Sequence, residues 1–148
     1  IKISFSPGSI YCEKGLESIL PIIKKTEILF LDKREIYQLL KKNYKVGAQN
    51  LLKLGTKIIV VTKGKDGAFV TDGKENIEVR SRKVKVVDTT GAGDAFAAGF
   101  IYGQLLNLNL KQSAEIGNAV ASFSIQKIGA RMGLPNRKEL SSIVSFLK

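Results

Sequence analysis

An acidic residue directly follows a glycine turn in the stretch Asp88-Thr89-Thr90-Gly91-Ala92-Gly93-Asp94-Ala95-Phe96. Gly91, Ala92 and Gly93 read as a turn that opens a helix near Asp94, with Asp88, Thr89 and Thr90 as a capping cluster ahead of it. A helix begun this way directs unpaired backbone N–H groups, and the positive end of its dipole, at whatever lies above the turn, which makes the place an anion site. Glycine and alanine leave no side chain to hold a phosphate off the amides. A carboxylate beside a site shaped for negative charge has one evident use: to accept the proton of a hydroxyl that attacks phosphorus held over those amides. Such a carboxylate need do little more than orient the hydroxyl, because in phosphoryl transfer positioning and charge stabilisation supply most of the catalysis.

The bland alternative for the same residues is a capped helix start, with Thr90 or Asp88 satisfying orphan amides. Two other glycine motifs fit worse. A dinucleotide fingerprint needs a small residue where Phe96 stands, and a phosphate loop needs a Gly-Lys-Ser/Thr triplet that the chain lacks.

The elements that must position this stretch can be read from hydropathy. Val84 to Val87 reads as a short strand leading into the turn, and Ala95 to Tyr102, apolar nearly all round, as a buried helix leading out of it. Ile1 to Phe5 alternates as a half-buried strand and stops at Ser6-Pro7-Gly8. Glu13 to Lys25 suits a short helix that Pro21 would break or kink. Glu27 to Leu31 is short and apolar enough for a buried parallel strand, and Asp32-Lys33-Arg34-Glu35 opens a helix through Lys41. A helix from Val46 to Leu54 ends at Gly55, and Lys57 to Thr62 is the clearest strand. Lys63 to Gly67 turns the chain into a strand from Ala68 to Thr71, and residues 76–80 and 83–87 follow as two more. Leu110 to about Lys127 and Ser141 to Lys148 read as helices. Strands alternating with helices predict an α/β fold, a mostly parallel sheet flanked by helices. The turns after Leu31, Thr62 and Val87 then lie at C-terminal strand ends, where such sheets bind ligands.

Composition narrows the chemistry. With 148 residues the chain can bury a real core, and no repeat, low-complexity tract or linker divides it, so residues 1–148 read as a single unit. Cys12 is the sole cysteine and there is no histidine, which removes internal disulfides, most zinc sites and every serine–histidine mechanism. No apolar run approaches membrane-spanning length and no secretory leader pattern opens the chain, so a cytoplasmic protein without membrane contact is expected. The net charge of +11 is spread from Lys2 to Lys148, with no dense block and no interleaved aromatics. It reads as a solvated basic surface that attracts polyphosphate rather than as a nucleic-acid footprint. A basic module that binds nucleotide or nucleic acid without catalysis remains the alternative.

The nine residues from Asp88 to Phe96 resemble, without a gap, the C-terminal signature of the ribokinase-like (PfkB) carbohydrate and nucleoside kinases. The resemblance implies an ATP-dependent transfer to a sugar or nucleoside hydroxyl, with Asp94 as base and Gly91, Ala92 and Gly93 as anion hole. It also implies that Asp88, with the backbone of Thr90, helps hold a monovalent cation such as potassium, completed by carbonyls from about Ser124 to Gly129. Lys63-Gly64-Lys65-Asp66-Gly67 after Thr62 resembles the family's Thr-x-Gly-x-x-Gly segment, which nominates Thr62, Gly64, Lys65 and Gly67 for the nucleotide. Asn118 falls where the family keeps a polar residue beside the adenine, which nominates it for the nucleotide, with a helix-surface asparagine as the alternative.

The family's Asn-x-x-Glu motif for magnesium and phosphate is matched here by Asp32 and Glu35, the Glu in register and the Asn replaced. Asp32 still offers an oxygen ligand to magnesium, and an N-cap with a capping-box Glu accounts for the same pair. Ser6 stands where the family usually has an acid or amide, and a hydroxyl cannot supply their charge or donors. Family members are about twice this length, and Ile1 follows no methionine, so the chain is expected to be the C-terminal, nucleotide-binding half of such a kinase. The substrate and lid half would lie upstream. A sheet edge near residues 1–5 would then be left to pair with a partner strand or a second copy.

Overall fold

The computed structural model describes residues 1–147, which fall into two compact units. The first comprises residues 1–63 and 69–77, the second residues 64–68 and 78–148. Five strands form one sheet in the order β1 (Ser4–Phe5), β2 (Ile28–Asp32), β3 (Ile58–Thr62), β4 (Ala68–Thr71), β5 (Asn76–Val79). The first three run parallel, with Ser4 opposite Ile28 and Asp32 opposite Thr62. The β3–β4 and β4–β5 connections are far shorter than the dozen or more residues a parallel crossover needs, so these strands return antiparallel and the sheet is mixed.

In the first unit, three consecutive residues of β2 (Leu29, Phe30, Leu31) and three of β3 (Ile59, Val60, Val61) are buried, as in strands covered on both faces. Around them lie α1 (Gly8–Glu13), α2 (Leu16–Ile23), α3 (Lys33–Leu40) and α4 (Tyr44–Leu52). Cys12, Ile19, Ile23, Leu29, Leu31, Ile36, Leu51, Ile59 and Phe69 make one core. α1 is six residues long and falls where sequence periodicity gives no signal. Pro21 does not break α2: it faces solvent near the helix end, where the hydrogen bond it removes can be replaced by water. Burial lifts the Cys12 thiol, helped by the Glu35 and Asp32 carboxylates, to about 12, so it stays protonated and is a packing residue.

The second unit is built on α5 (Ala92–Leu105) and α6 (Leu110–Ser124), followed by α7 (Arg137–Ile143). α5 is not buried all round. It buries Ala95, Phe96, Gly99, Phe100 and Gly103, while Asp94 and Ala98 face solvent. Small residues let α5 and α6 approach closely. A Cβ on Gly99 would lie 2.9 Å from the Gly117 Cα and the Ile116 carbonyl, and one on Gly103 would lie 2.8 Å from the Ser113 Cα. Replacing Gly99 with valine therefore forces the two helices apart, and we expect a loss of about 1–3 kcal/mol or more from overpacking, read from denaturant unfolding.

The run Val84–Val87 is not a strand, contrary to the reading from sequence, and neither is 83–87 as a whole. It has no neighbouring strand to pair with. Instead the segment is tied at intervals to the helices of its own unit. Asn118 donates to the Arg80 carbonyl (3.0 Å), Arg82 to the Ile143 carbonyl (3.0 Å), and the Val87 and Asp88 amides to the Ile125 carbonyl (2.8 and 3.2 Å).

Candidate active site

The anion turn was expected at residues 91–94, and the chain there starts α5 with an unusual cap. Gly91 is the N-cap in the left-handed region (φ 73°) and supplies no side chain to the helix amides. A Cβ at Gly91 would sit 2.6 Å from the Ala130 Cβ, so both its dihedral and its packing require glycine. Ala92 donates its amide to the Thr89 carbonyl (3.1 Å), so this one of the three expected anion-hole amides is already engaged. The amides of Gly91, Gly93 and Asp94 have no acceptor among the described residues. Gly93 adopts ordinary helical geometry, and a Cβ there would meet nothing within 4 Å. Neither packing nor dihedral within the described residues requires a glycine at this position. Asp94 is exposed and makes no hydrogen bond or ion pair among the described residues.

The capped-helix alternative does not hold, because neither Thr90 nor Asp88 caps α5. Asp88 Oδ1 accepts from the Thr90 amide (2.9 Å) and Oδ2 from the Gly129 amide (2.8 Å), which joins the turn to the loop after α6. These amides, Gly129 first and then Thr90 with its hydroxyl, hold the Asp88 carboxyl below its usual range. The stabilisation is thus present above the unfolded carboxylate range and is lost as the pH falls through the lower folded value. Asp88→Asn, whose amide nitrogen cannot accept from Gly129, should flatten part of the acid limb of a melting-temperature profile below the ordinary aspartate range, about pH 4. Glu27 and Asp72 are lowered as well, so some slope remains.

The loop opposite Asp88 is held from both sides. The Ile125 carbonyl accepts from Val87 and Asp88, and a Cβ on Gly133 would lie 2.6 Å from the Phe123 and Ser124 carbonyls. The sequence reading placed carbonyls of residues 124–129 here, but missed Gly133 as the residue backing them. Its sequence signal was its place in Gly129–Pro135, which resembles the closing Gly-Ala loop of the ribokinase-like kinases, and that resemblance names no packing partner.

In the first unit, Asp32 and Glu35 form a complete capping box at the start of α3. Asp32 Oδ1 accepts from the Arg34 and Glu35 amides (2.7 and 2.8 Å), and Glu35 Oε2 accepts from the Asp32 amide (2.8 Å). Burial raises the Glu35 carboxyl; the Asp32 amide opposes the rise and the Asp32 charge adds to it. The other Asp32 oxygen faces the Arg34 guanidinium at 3.7 Å. Asp32 is therefore engaged as a cap, whereas one Glu35 oxygen has no hydrogen-bond partner among the described residues. No group of three or more acidic or cysteine side chains among the described residues forms a metal cage by itself. Thr62 ends β3 beside Asp32 in the parallel register, and exposed Ser6 follows β1.

The Gly64–Asp66 turn lies in the second unit with Gly67 at its end. Gly67 (φ 89°) is buried, and a Cβ on it would overlap the Val79 carbonyl and lie 2.7 Å from the Ser81 amide. Asn118 is not on the helix surface; it is 8% exposed, with its side-chain amide on the Arg80 carbonyl.

The fold is that of the ribokinase-like kinases. A crystal structure of the Methanocaldococcus jannaschii nucleoside kinase, an archaeal member of the ribokinase family, superposes with a TM-score of 0.83 at 29% identity, over 98% of this chain and 48% of that one. Thermotoga maritima ribokinase gives 0.87 at 26% identity, over 97% and 49%. Residues 9–137 match the pfkB family carbohydrate kinase description, and the chain belongs to that family. An uncharacterized sugar kinase of Archaeoglobus fulgidus is 41% identical over 90% of this chain and 53% of its own length. An ATP-dependent 6-phosphofructokinase of Thermoanaerobacterium thermosaccharolyticum is 36% identical, over 90% of this chain and 42% of its own length. The chain thus spans about half the length of the curated relatives it matches. No helix among the described residues is long and apolar enough to cross a membrane.

Proposed function

We propose that this chain carries the nucleotide-binding and catalytic half of an ATP-dependent phosphotransferase whose acceptor is a hydroxyl of a sugar or nucleoside. The observation that carries the reading is the first turn of α5: free amides at Gly93 and Asp94, a glycine with open space above it, and an exposed carboxylate without a partner in the same turn. Amides arranged this way offer hydrogen bonds to the oxygens of a transferring phosphoryl group at no reorganisation cost. Asp94 accepts the proton of the attacking hydroxyl and orients its oxygen toward phosphorus. Gly91 shapes the turn, Ala92 is tied to Thr89, and the anion is met by the neighbouring amides.

Thr62, Gly64, Lys65 and Gly67 line the nucleotide by their match to the family segment. Magnesium, when bound, neutralises phosphate charge, and Glu35 would hold it, partly through water, while Asp32 orients Glu35. Asp88, the backbone of Thr90 and carbonyls from about Ser124 to Gly129 would hold potassium. The sugar kinase and nucleoside kinase descriptions of the relatives support the acceptor class. The ATP-dependent 6-phosphofructokinase among the relatives supports ATP as the donor. β1 is an end strand with Ile3 exposed, and we assign its free edge to a strand from a partner or a second copy.

The test is ADP release by the complete protein with ATP and magnesium across a panel of sugars and nucleosides. Acceptor-dependent ADP release is the expected result. Tight, steeply salt-dependent DNA binding with no ATP turnover would overturn the assignment in favour of a basic binding module.

A further inference from the structure

Asn118 falls where a direct contact with the nucleotide base would be expected, yet its side chain is committed elsewhere. It is 8% exposed and gives its amide to the Arg80 carbonyl at 3.0 Å. Arg80 and its neighbours are the backbone on which the Gly64–Gly67 turn rests. A Cβ at Gly67 would overlap the Val79 carbonyl and lie 2.7 Å from the Ser81 amide and 2.8 Å from the Arg80 carbonyl carbon, so two stretches of main chain touch with no side chain between them. The contact is fastened at its other end, where the Ser81 hydroxyl donates to the Lys65 carbonyl. α6, the segment 79–81 and the turn 64–67 thus form one hydrogen-bonded stack inside the second unit.

We propose that Asn118 and Ser81 are positioning residues for the nucleotide turn: through the Arg80 and Lys65 carbonyls they set where the backbone of residues 64–67 stands. The inference rests on the assignment of that turn to the nucleotide. It differs from a base contact in a measurable way. A residue that hydrogen-bonds the base discriminates between purines, because a mismatched base leaves a buried donor or acceptor unpaired. A residue that places a main-chain wall does not discriminate, since the wall is displaced for every nucleotide alike. An amide on a carbonyl is also lost in a known way: aspartate keeps the size of asparagine but has no N–H to donate.

The experiment uses the complete protein with Asn118→Asp and Ser81→Ala, the second a small change at a partly exposed hydroxyl that leaves folding intact. Steady-state kinetics are measured with ATP and with GTP, and amide hydrogen exchange is followed without nucleotide. The expected result is a rise in nucleotide KM of about tenfold for Asn118→Asp, equal for ATP and GTP and equivalent to one lost hydrogen bond, with kcat changed far less. Exchange at residues 64–67 and 79–81 should quicken in both variants. A KM rise confined to ATP with exchange unchanged would overturn the proposal in favour of a direct base contact. Unchanged KM and unchanged exchange would overturn it outright. The exchange measurement needs no turnover, so a protein that fails to phosphorylate anything defeats the functional assignment while the stack is still tested.

Discussion

Asp94→Asn in the complete protein lowers turnover by about 10²- to 10⁴-fold, the range a positioned general base contributes. Nucleotide affinity stays the same or tightens. Asparagine has the shape of aspartate, and Asp94 is exposed with no hydrogen bond or ion pair among the described residues, so the substitution removes no structural contact. What it removes is the ability to take a proton. It also removes a negative charge beside the place assigned to phosphates, which is why binding does not weaken. Single-turnover kinetics and ATP titration separate the two quantities, and undiminished turnover would end the role assigned to Asp94.

Gly93→Val is the second large effect, and it dissociates stability from activity. Gly93 lies in helical geometry with nothing within 4 Å of a would-be Cβ, and valine has the higher helix propensity, so the melting temperature should hold or rise slightly. The branched side chain, however, occupies the space over the free amides. Turnover should fall by about 10²- to 10³-fold, the loss seen when one donor to a transition-state oxyanion is removed. Gly91→Val is the contrasting control. Its φ of 73° and its contact with Ala130 penalise any side chain, so stability and activity fall together. Full activity in a well-folded Gly93→Val protein would mean that the phosphoryl group lies elsewhere.

How much of this was legible in the sequence depended on whether the signal was local. β2 and β3 are unbroken apolar runs with β-branched residues, and each lies within a residue of its expected bounds. The start of α5 was legible because only a glycine turn with a carboxylate spells it. The capping box of Asp32 and Glu35 was legible from spacing alone, and the structure contains it in full. Val84–Val87 misled because β-propensity describes residues that suit a strand, and no neighbouring strand is there to accept them. The return of the chain at Lys63–Gly67 into a second strand was legible too, because so short a connection allows only an antiparallel neighbour. Asn118 read either as a residue beside the adenine or as a helix-surface asparagine, and its actual partner, a main-chain carbonyl 38 positions away, leaves no trace in side-chain spelling. Gly133 was missed for the same reason.

The seam of Gly99, Gly103 and Gly117 has a consequence for how such a site can change over time. With main chain against main chain along α5 and α6, neither helix can slide or tilt without the other, so the acidic side chain at the front of α5 has a fixed mounting. Under the proposed phosphotransfer, variation in acceptor would then come from residues outside this pair, and libraries aimed at new acceptors should leave the seam untouched.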